Sequence, residues 1–315
     1  MSEWFSRRLN RGSLARIAAG VWLLIGPAVG ALAALLLVVA DTLSGHLFGA
    51  AVLSVLHVPL CAVSKRVRET PILRRSLLLG PLLVCAVCLA ACGWLSPPEI
   101  SSSDSTVRSV FLGRWGYHRF SIANLVPEGD QLKLGTYVIP LGDPLLDMRQ
   151  GARLRELFGA EYSAIRADPE FRRMGSVMNY AWMDVFLNYR PAVHFWEYIP
   201  PTTSPTNRMP VLFFEHGGFG NMLACTWVLK KFADAHGFAV VSPTFGIGDW
   251  DKDGATNVVA RVMTYCDSHP RLDPQRVYLA GVSLGATGVL RTLAQFGNRF
   301  QGVILISPCV DGKLS

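Results

Sequence analysis

The chain has 315 residues, half of them hydrophobic, and a formal net charge of +7. That length accommodates one large domain or two ordinary ones. The charge is unevenly placed: residues 1–95 hold nine Lys/Arg against three acids (Glu3, Asp41 and Glu69), whereas the remainder is close to balanced, with 21 basic and 20 acidic residues. The excess belongs to an apolar N-terminal region, so the charge implies no basic groove for nucleic acid.

Three apolar runs open the chain. Residues 17–40 form an uncharged stretch long enough to cross a bilayer, 47–63 sit at the lower limit for a span, and 76–95 again suffice. The tail before the first run is basic and the Asp41–His46 turn carries no Lys or Arg. The Ser64–Arg75 loop is basic again. Positive segments stay on the cytoplasmic side. The expectation is therefore a multi-pass membrane protein with three transmembrane helices, and everything after Leu95 on the non-cytoplasmic side. Seven cysteines divide between the runs (Cys61, Cys85, Cys88, Cys92) and the remainder (Cys225, Cys266, Cys309). None has zinc-ligand spacing, and no residue set calls for a metal or a cofactor.

The polar stretch 96–106 reads as a linker. Residues 107–190 give mixed signals: strands near Val110-Phe111 and Tyr137-Val138-Ile139, and a helix near Leu145–Phe158. This part is expected to supply opening strands or a cap. From 191 onward short apolar strands alternate with helices. Strands are expected at Val193–Ile199, Val211–Phe214, Phe238–Val241, Arg276–Val282 and Gly302–Ile306, with helices at Thr226–His236, Asn257–Ser268 and after residue 285. Such alternation implies a mostly parallel sheet covered on both faces, with chemistry at the carboxyl ends of its strands.

Two motifs sit at those ends. Gly281-Val282-Ser283-Leu284-Gly285 places a serine between a strand and a helix, on a turn so sharp that its neighbours at ±2 must be tiny. Helix N–H groups without partners stand beside that hydroxyl, ready to stabilise negative charge. About 65 residues upstream, a buried strand ends in His216-Gly217-Gly218-Phe219-Gly220, where glycines let the backbone approach a developing oxyanion.

With these motifs and the lead-in Leu272-Asp273-Pro274-Gln275-Arg276-Val277, residues 193–310 resemble the α/β-hydrolase superfamily, near its dienelactone-hydrolase, polyester-depolymerase and prolyl-oligopeptidase relatives. The resemblance implies a serine hydrolase of the esterase/lipase kind, with a doubly wound sheet in the domain 107–315 and its core in 191–315. Ser283 would be the nucleophile. The N–H of Leu284 and one from the Gly218-Phe219 region would form the oxyanion hole. His216 and Gly217, with Gly281 and Gly285, would shape the bends rather than carry the proton. The partners implied are the lipid bilayer and a small ester or lipid substrate, with esters preferred to amides or peptides.

The chain departs from the family pattern after Ser283. One acid follows, Asp311, which becomes the candidate for the acidic member, and no histidine follows at all. Loss of the histidine from such a triad costs about 10⁶ in turnover. Val303–Ile306 should also be an interior strand, yet little chain remains to cover it. The expectation is a sheet incomplete after its sixth strand, as in a truncated gene product. The alternatives are a base borrowed from elsewhere and a catalytically inactive binding or scaffold relative. Finally, Asp249-Trp250-Asp251-Lys252-Asp253-Gly254 repeats the opening of a calcium loop, but its twelfth position is Ala260, where a bidentate glutamate is required. Asp253 is expected instead to cap the following helix.

Overall fold

A computed structural model describes residues 11–97, 106–143, 146–175, 178, 183, 192–201, 208–218 and 222–308. The chain divides into two compact units, Met1–Ser96 with Leu125–Gly151, and Pro97–Asn124 with Ala152–Ser315.

In the first unit, three helical stretches are long and apolar enough to cross a membrane: Ala19–Val39, Leu43–Val63 and Pro71–Leu95. The first lies within α1 (Arg11–Val39), the second begins with α2 (Leu43–Val55), and the third ends with α3 (Gly80–Leu95). Helices α1 and α2 meet backbone to backbone. A β-carbon on Gly49 would stand 2.8 Å from the Ala33 carbonyl oxygen and 2.9 Å from the Leu37 nitrogen. Small residues permit this approach, which substitutes for the hydrophobic driving force that lipid removes. In an apolar medium every backbone polar group must find a partner, and side chains supply several. Pro81 has no N–H for the carbonyl four residues back, Leu77, and the helix is widened to a π-type turn over Arg75–Leu79. His57 Nε2 stands 3.1 Å from that Leu77 oxygen, and Trp22 Nε1 donates to the Leu56 oxygen at 2.7 Å.

The same unit contains α4 (Glu128–Val138), which continues into a 3₁₀ turn, Ile139–Leu141. Tyr137–Ile139 is therefore helical and not the strand expected from its β-branched and aromatic residues. Acids at Glu128 and Asp130 open this helix, and Pro140 lies in the tightened turn that ends it.

The second unit is built on a six-stranded sheet of order β1-β2-β4-β3-β5-β6. Its strands are β1 (Val107–Gly113), β2 (Ala192–Tyr198), β3 (Met209–Glu215), β4 (Ala239–Pro243), β5 (Leu272–Val282) and β6 (Gly302–Ile306). The pairs β1/β2 and β2/β4 are antiparallel, and β4, β3, β5 and β6 run parallel. Alternation assigns the two faces. Phe213 joins Val258, Val262 and Val289 of α7 (Ala255–Ser268) and α8 (Leu284–Phe296) in the larger core. Its neighbour Phe214 turns to the opposite face, beside Cys225 and Leu229 of α6 (Met222–His236). The helix expected near Leu145–Phe158 is α5, Met148–Ala167. The aromatic-rich segment Met178–Phe186, in the part with mixed signals, lies almost wholly outside the described residues.

Strand β6 is at the sheet edge. Val303, Ile304, Leu305 and Ile306 are all 41–50% exposed, so among the described residues both faces of this strand are only partly covered.

Candidate active site

The strand β5 ends in Gly281-Val282 and the helix α8 starts at Leu284, so Ser283 alone makes the turn. Its backbone sits at φ 54°, ψ −119°, a region that residues with a β-carbon seldom occupy and that persists only when the surroundings enforce it. Two hydrogen bonds and two close backbone approaches enforce it here. The Ser283 N–H donates to the Ile306 oxygen of β6 at 2.9 Å, while the Ser283 carbonyl accepts from Ala286 at 3.0 Å. A β-carbon on Gly281 would lie 2.5 Å from the carbonyl carbon of Gly285 and 2.8 Å from the Ala286 nitrogen. One on Gly285 would overlap the Glu215 carbonyl oxygen outright. Glycine is thus required at both positions by the folded backbone.

The second glycine bend meets this one. A β-carbon on Gly217 would be 3.1 Å from the Val282 oxygen and 3.5 Å from the Ser283 Cβ, and one on Gly218 would be 3.1 Å from the Leu284 Cδ1. The ends of β3 and β5 are adjacent, with Glu215 paired in register with Gly281. Ser283 is partly exposed at this junction and Leu284 is exposed. Because the Ser283 N–H is committed to β6, the amide at the serine that remains for an anion is that of Leu284, at the start of α8. Phe219, the other expected donor position, and Asp311, the expected acid, lie outside the described residues.

His216 is fully buried behind the junction, and both its ring nitrogens are engaged. Nδ1 lies 2.7 Å from the Gly217 oxygen, and Nε2 accepts from the Phe245 N–H at 3.1 Å. An acceptor Nε2 fixes the neutral tautomer with its proton on Nδ1. Burial holds the ring in that state, lowering its pKa to about 4. The His216 carbonyl is held by Trp250 Nε1 at 2.8 Å. A third bend, at Gly248 with φ 100°, closes on the first two: its β-carbon would touch the Gly217 oxygen at 3.0 Å. Here only glycine fits.

The sequence reading gave no role to Glu215, the last residue of β3. Its side chain is buried and accepts from Thr292 Oγ1 at 2.6 Å, while Oε2 has no partner among the described residues. Burial raises its pKa to about 8 against the smaller opposing effect of the Thr292 hydroxyl. Gly288 makes room for it, since a β-carbon there would collide with Oε2 and stand 2.5 Å from the Trp250 Cβ. The available sequence signal was a charged residue closing an otherwise apolar strand, one residue before a glycine bend.

His194, His269 and His236 lie away from the serine. His194, on β2, lies 2.6 Å through Nε2 from Ser109 Oγ and is stacked on Phe111. Three strand spacings separate β2 from β5, roughly 14 Å. His269 stands 3.7 Å from Glu197, before the start of β5, the strand end opposite Ser283, and His236 closes α6, next to the start of β4. No hydrogen bond joins Ser283 Oγ to any described residue. The loop after β4 does not have the form of a calcium loop either. Asp249 accepts from the Ile247 N–H and pairs with Lys252, and Asp253 pairs with Arg291. Asp253 also does not cap α7. The cap is Gly254, in a left-handed conformation, whose carbonyl accepts from Val258, while the Asp253 side chain stands in solvent.

No family profile matches the chain. The bifunctional acetylxylan esterase/xylanase XynS20E of Neocallimastix patriciarum is 29% identical over 118 residues, which are 36% of this chain and 17% of that protein. Among solved structures, the fluorophosphonate-binding serine hydrolase FphF of Staphylococcus aureus gives a TM-score of 0.36 at 14% identity, over 39% of this chain and 54% of its own. LpqC, a poly(3-hydroxybutyrate) depolymerase from Bordetella parapertussis, gives 0.31 at 25% identity, over 36% and 45%. The chain therefore spans about a sixth of the curated relative's length and about half of each structure's. By its own topology, the mostly parallel sheet with helices on both faces and a serine turn after β5 is consistent with an α/β-hydrolase fold that follows three membrane-length helices.

Proposed function

We propose that the protein is a membrane-anchored serine hydrolase that cleaves carboxylic esters through an acyl-enzyme on Ser283. In this reading Ser283 Oγ attacks the ester carbonyl, and the oxyanion is received by the Leu284 N–H and an N–H of the Gly218-Phe219 bend. The alcohol leaves, and water releases the acid. Esters are favoured over amides because an alcohol departs with less help from a general acid than an amine does. Residues 107–315 supply the hydrolase part, apart from Leu125–Gly151, which groups with the membrane helices. Asp311 is the proposed acid.

The observation that carries the reading is the Ser283 backbone, held at φ 54° against a second glycine bend. Strain of this kind costs on the order of 1–3 kcal/mol, and a fold that maintains it at a partly exposed hydroxyl points to use of that hydroxyl. The test is hydrolysis of p-nitrophenyl acyl esters by the full chain in vesicles. Ser283→Ala should abolish turnover, and a folded Ser283→Ala protein with the wild-type rate would overturn the assignment.

A second reading rests on a different observation. Both nitrogens of His216 are engaged and no described residue bonds to Ser283 Oγ, which favours a hydrolase-like binding or scaffold protein in which the serine lacks a base. Absence of ester turnover in the folded wild-type chain supports this reading.

The placement of basic residues orients the hydrolase part away from the cytosol. Phosphatase fusions after residue 66 and after residue 100 check this orientation: only the second should be active.

A further inference from the structure

We infer that the uncharged run Leu134–Leu141 inserts into the lipid leaflet on the side of the Asp41 turn, as a shallow second contact with the membrane made by a segment that follows all three spans in sequence.

The course of α4 carries the inference. At its first turn the buried Asp130 accepts from the Asp41 N–H at 2.7 Å and from the Thr42 hydroxyl. Its carboxylate thus holds Thr42, the residue that caps α2, and stands at the N-terminus of that helix, where a negative charge is favoured. One turn later Leu134 packs against the cluster of Leu36, Ala40 and Val126. Between these two levels α4 advances by four residues, about 6 Å. Its partners on the α1 side of the turn move back from Asp41 to Ala40 and Leu36. Helix α4 therefore runs down the side of the α1–α2 hairpin, away from the turn and towards the middle of the spans. Leu36 already lies within the membrane-length stretch Ala19–Val39.

The sequence changes character at the corresponding point. Lys133 pairs with Asp41 at the level of the turn, and after it no charge occurs until Asp143. Within this run Val138, Ile139 and Leu141 are 36%, 43% and 77% exposed. They are presented at the tip of an element already descending beside lipid-facing helices. Water is the unfavourable surrounding for such a tip and acyl chains are the favourable one. Asp143, exposed two residues beyond Leu141, sets the depth. A carboxylate so close to the tip restricts insertion to the headgroup–acyl boundary, roughly 5–10 Å. The backbone is compatible with this depth, since Pro140 has no N–H to satisfy and the Ile139 oxygen accepts from both Gly142 and Asp143.

The test uses the full chain in phosphatidylcholine–phosphatidylglycerol vesicles, with p-benzoylphenylalanine placed singly at Leu141, at Leu24 (81% exposed on α1) or at the exposed Gln295 of α8. After irradiation, the expected result is a lipid adduct at 141 comparable with that at 24 and absent at 295. A lipid adduct at 24 with none at 141, or a crosslink to protein at 141, overturns the inference. The adduct at 24 reports correct insertion in each preparation.

Discussion

Gly217 and Ser283 face one another across the ends of two adjacent strands, close enough that a β-carbon on the glycine would lie 3.5 Å from that of the serine. This contact joins the two glycine bends into one site. It also makes the serine bend intolerant of added volume, because the atoms facing Gly281 and Gly285 are backbone and cannot rotate away.

The glycine at the strand end gives the sharpest stability prediction. Gly281→Ala would place a methyl group 2.5 Å from the Gly285 carbonyl carbon. Overpacking against side chains costs about 1–3 kcal/mol, and against fixed backbone the upper end applies, so a loss of about 3 kcal/mol or more is expected in denaturant titration. Gly297→Ala, with nothing within 4 Å and a φ of −55°, should stay within about 0.5 kcal/mol of wild type. Equal stabilities for the two variants would contradict the packing described.

Glu215 predicts a decline in stability as pH rises. Burial raises its folded pKa from the usual 4.5 to about 8, so between those values the native state holds a proton that the unfolded chain has lost. The stabilisation is complete below about 4.5 and is lost as pH climbs towards 8, with a slope of at most about 1.4 kcal/mol per pH unit. Glu215→Gln keeps the shape and the Thr292 contact without titrating. Its stability relative to wild type should increase from pH 5 to pH 8, and a parallel pair of profiles would refute the buried neutral acid.

The adjacent His216 works in the opposite direction. Its folded pKa is lowered to about 4, so the native state binds fewer protons than the unfolded chain between about 4 and 6.5, and stability falls as pH falls through that window. Protonation would also remove the acceptor for the Phe245 N–H. His216→Gln should lose less stability than wild type between pH 6.5 and pH 4, as followed by thermal melts.

In the membrane unit, Gly49→Leu should separate α1 from α2. No side chain fits 2.8 Å from the Ala33 carbonyl oxygen, and the close contact that substitutes for hydrophobic association would be lost. The expected outcome is a lower melting temperature in detergent and increased proteolysis. Gly20→Leu, which meets nothing within 4 Å, should melt as wild type does.

Much of the sheet was legible because its signals are local. Val211–Phe214 is apolar on successive residues, as a strand covered on both faces must be, and the glycines around Ser283 mark a bend whose reason is steric. Residues Tyr137–Ile139 misled because β-branched and aromatic residues favour strands, whereas the deciding factor was the anchoring of Asp130 and Leu134 to a helical hairpin nearly a hundred residues away. Tertiary contact overrode local preference. Asp253 also misled: a capping residue by type, it keeps its side chain in solvent, and Gly254, in a left-handed conformation, is the cap. The charge of Glu215 at the end of an apolar strand was visible, but its buried environment was not, because that depends on Thr292 and Gly288, which only the packing of α8 against β3 brings to it.

The most direct measurement of the central claim is the site of phosphonylation by a fluorophosphonate probe. After tryptic digestion, the peptide Val277–Arg291 contains Ser283 as its only serine. The account predicts a phosphonyl adduct on Ser283 in the wild-type chain and none in Ser283→Ala. A folded wild-type chain that remains unmodified there, or is modified at another residue, would contradict it.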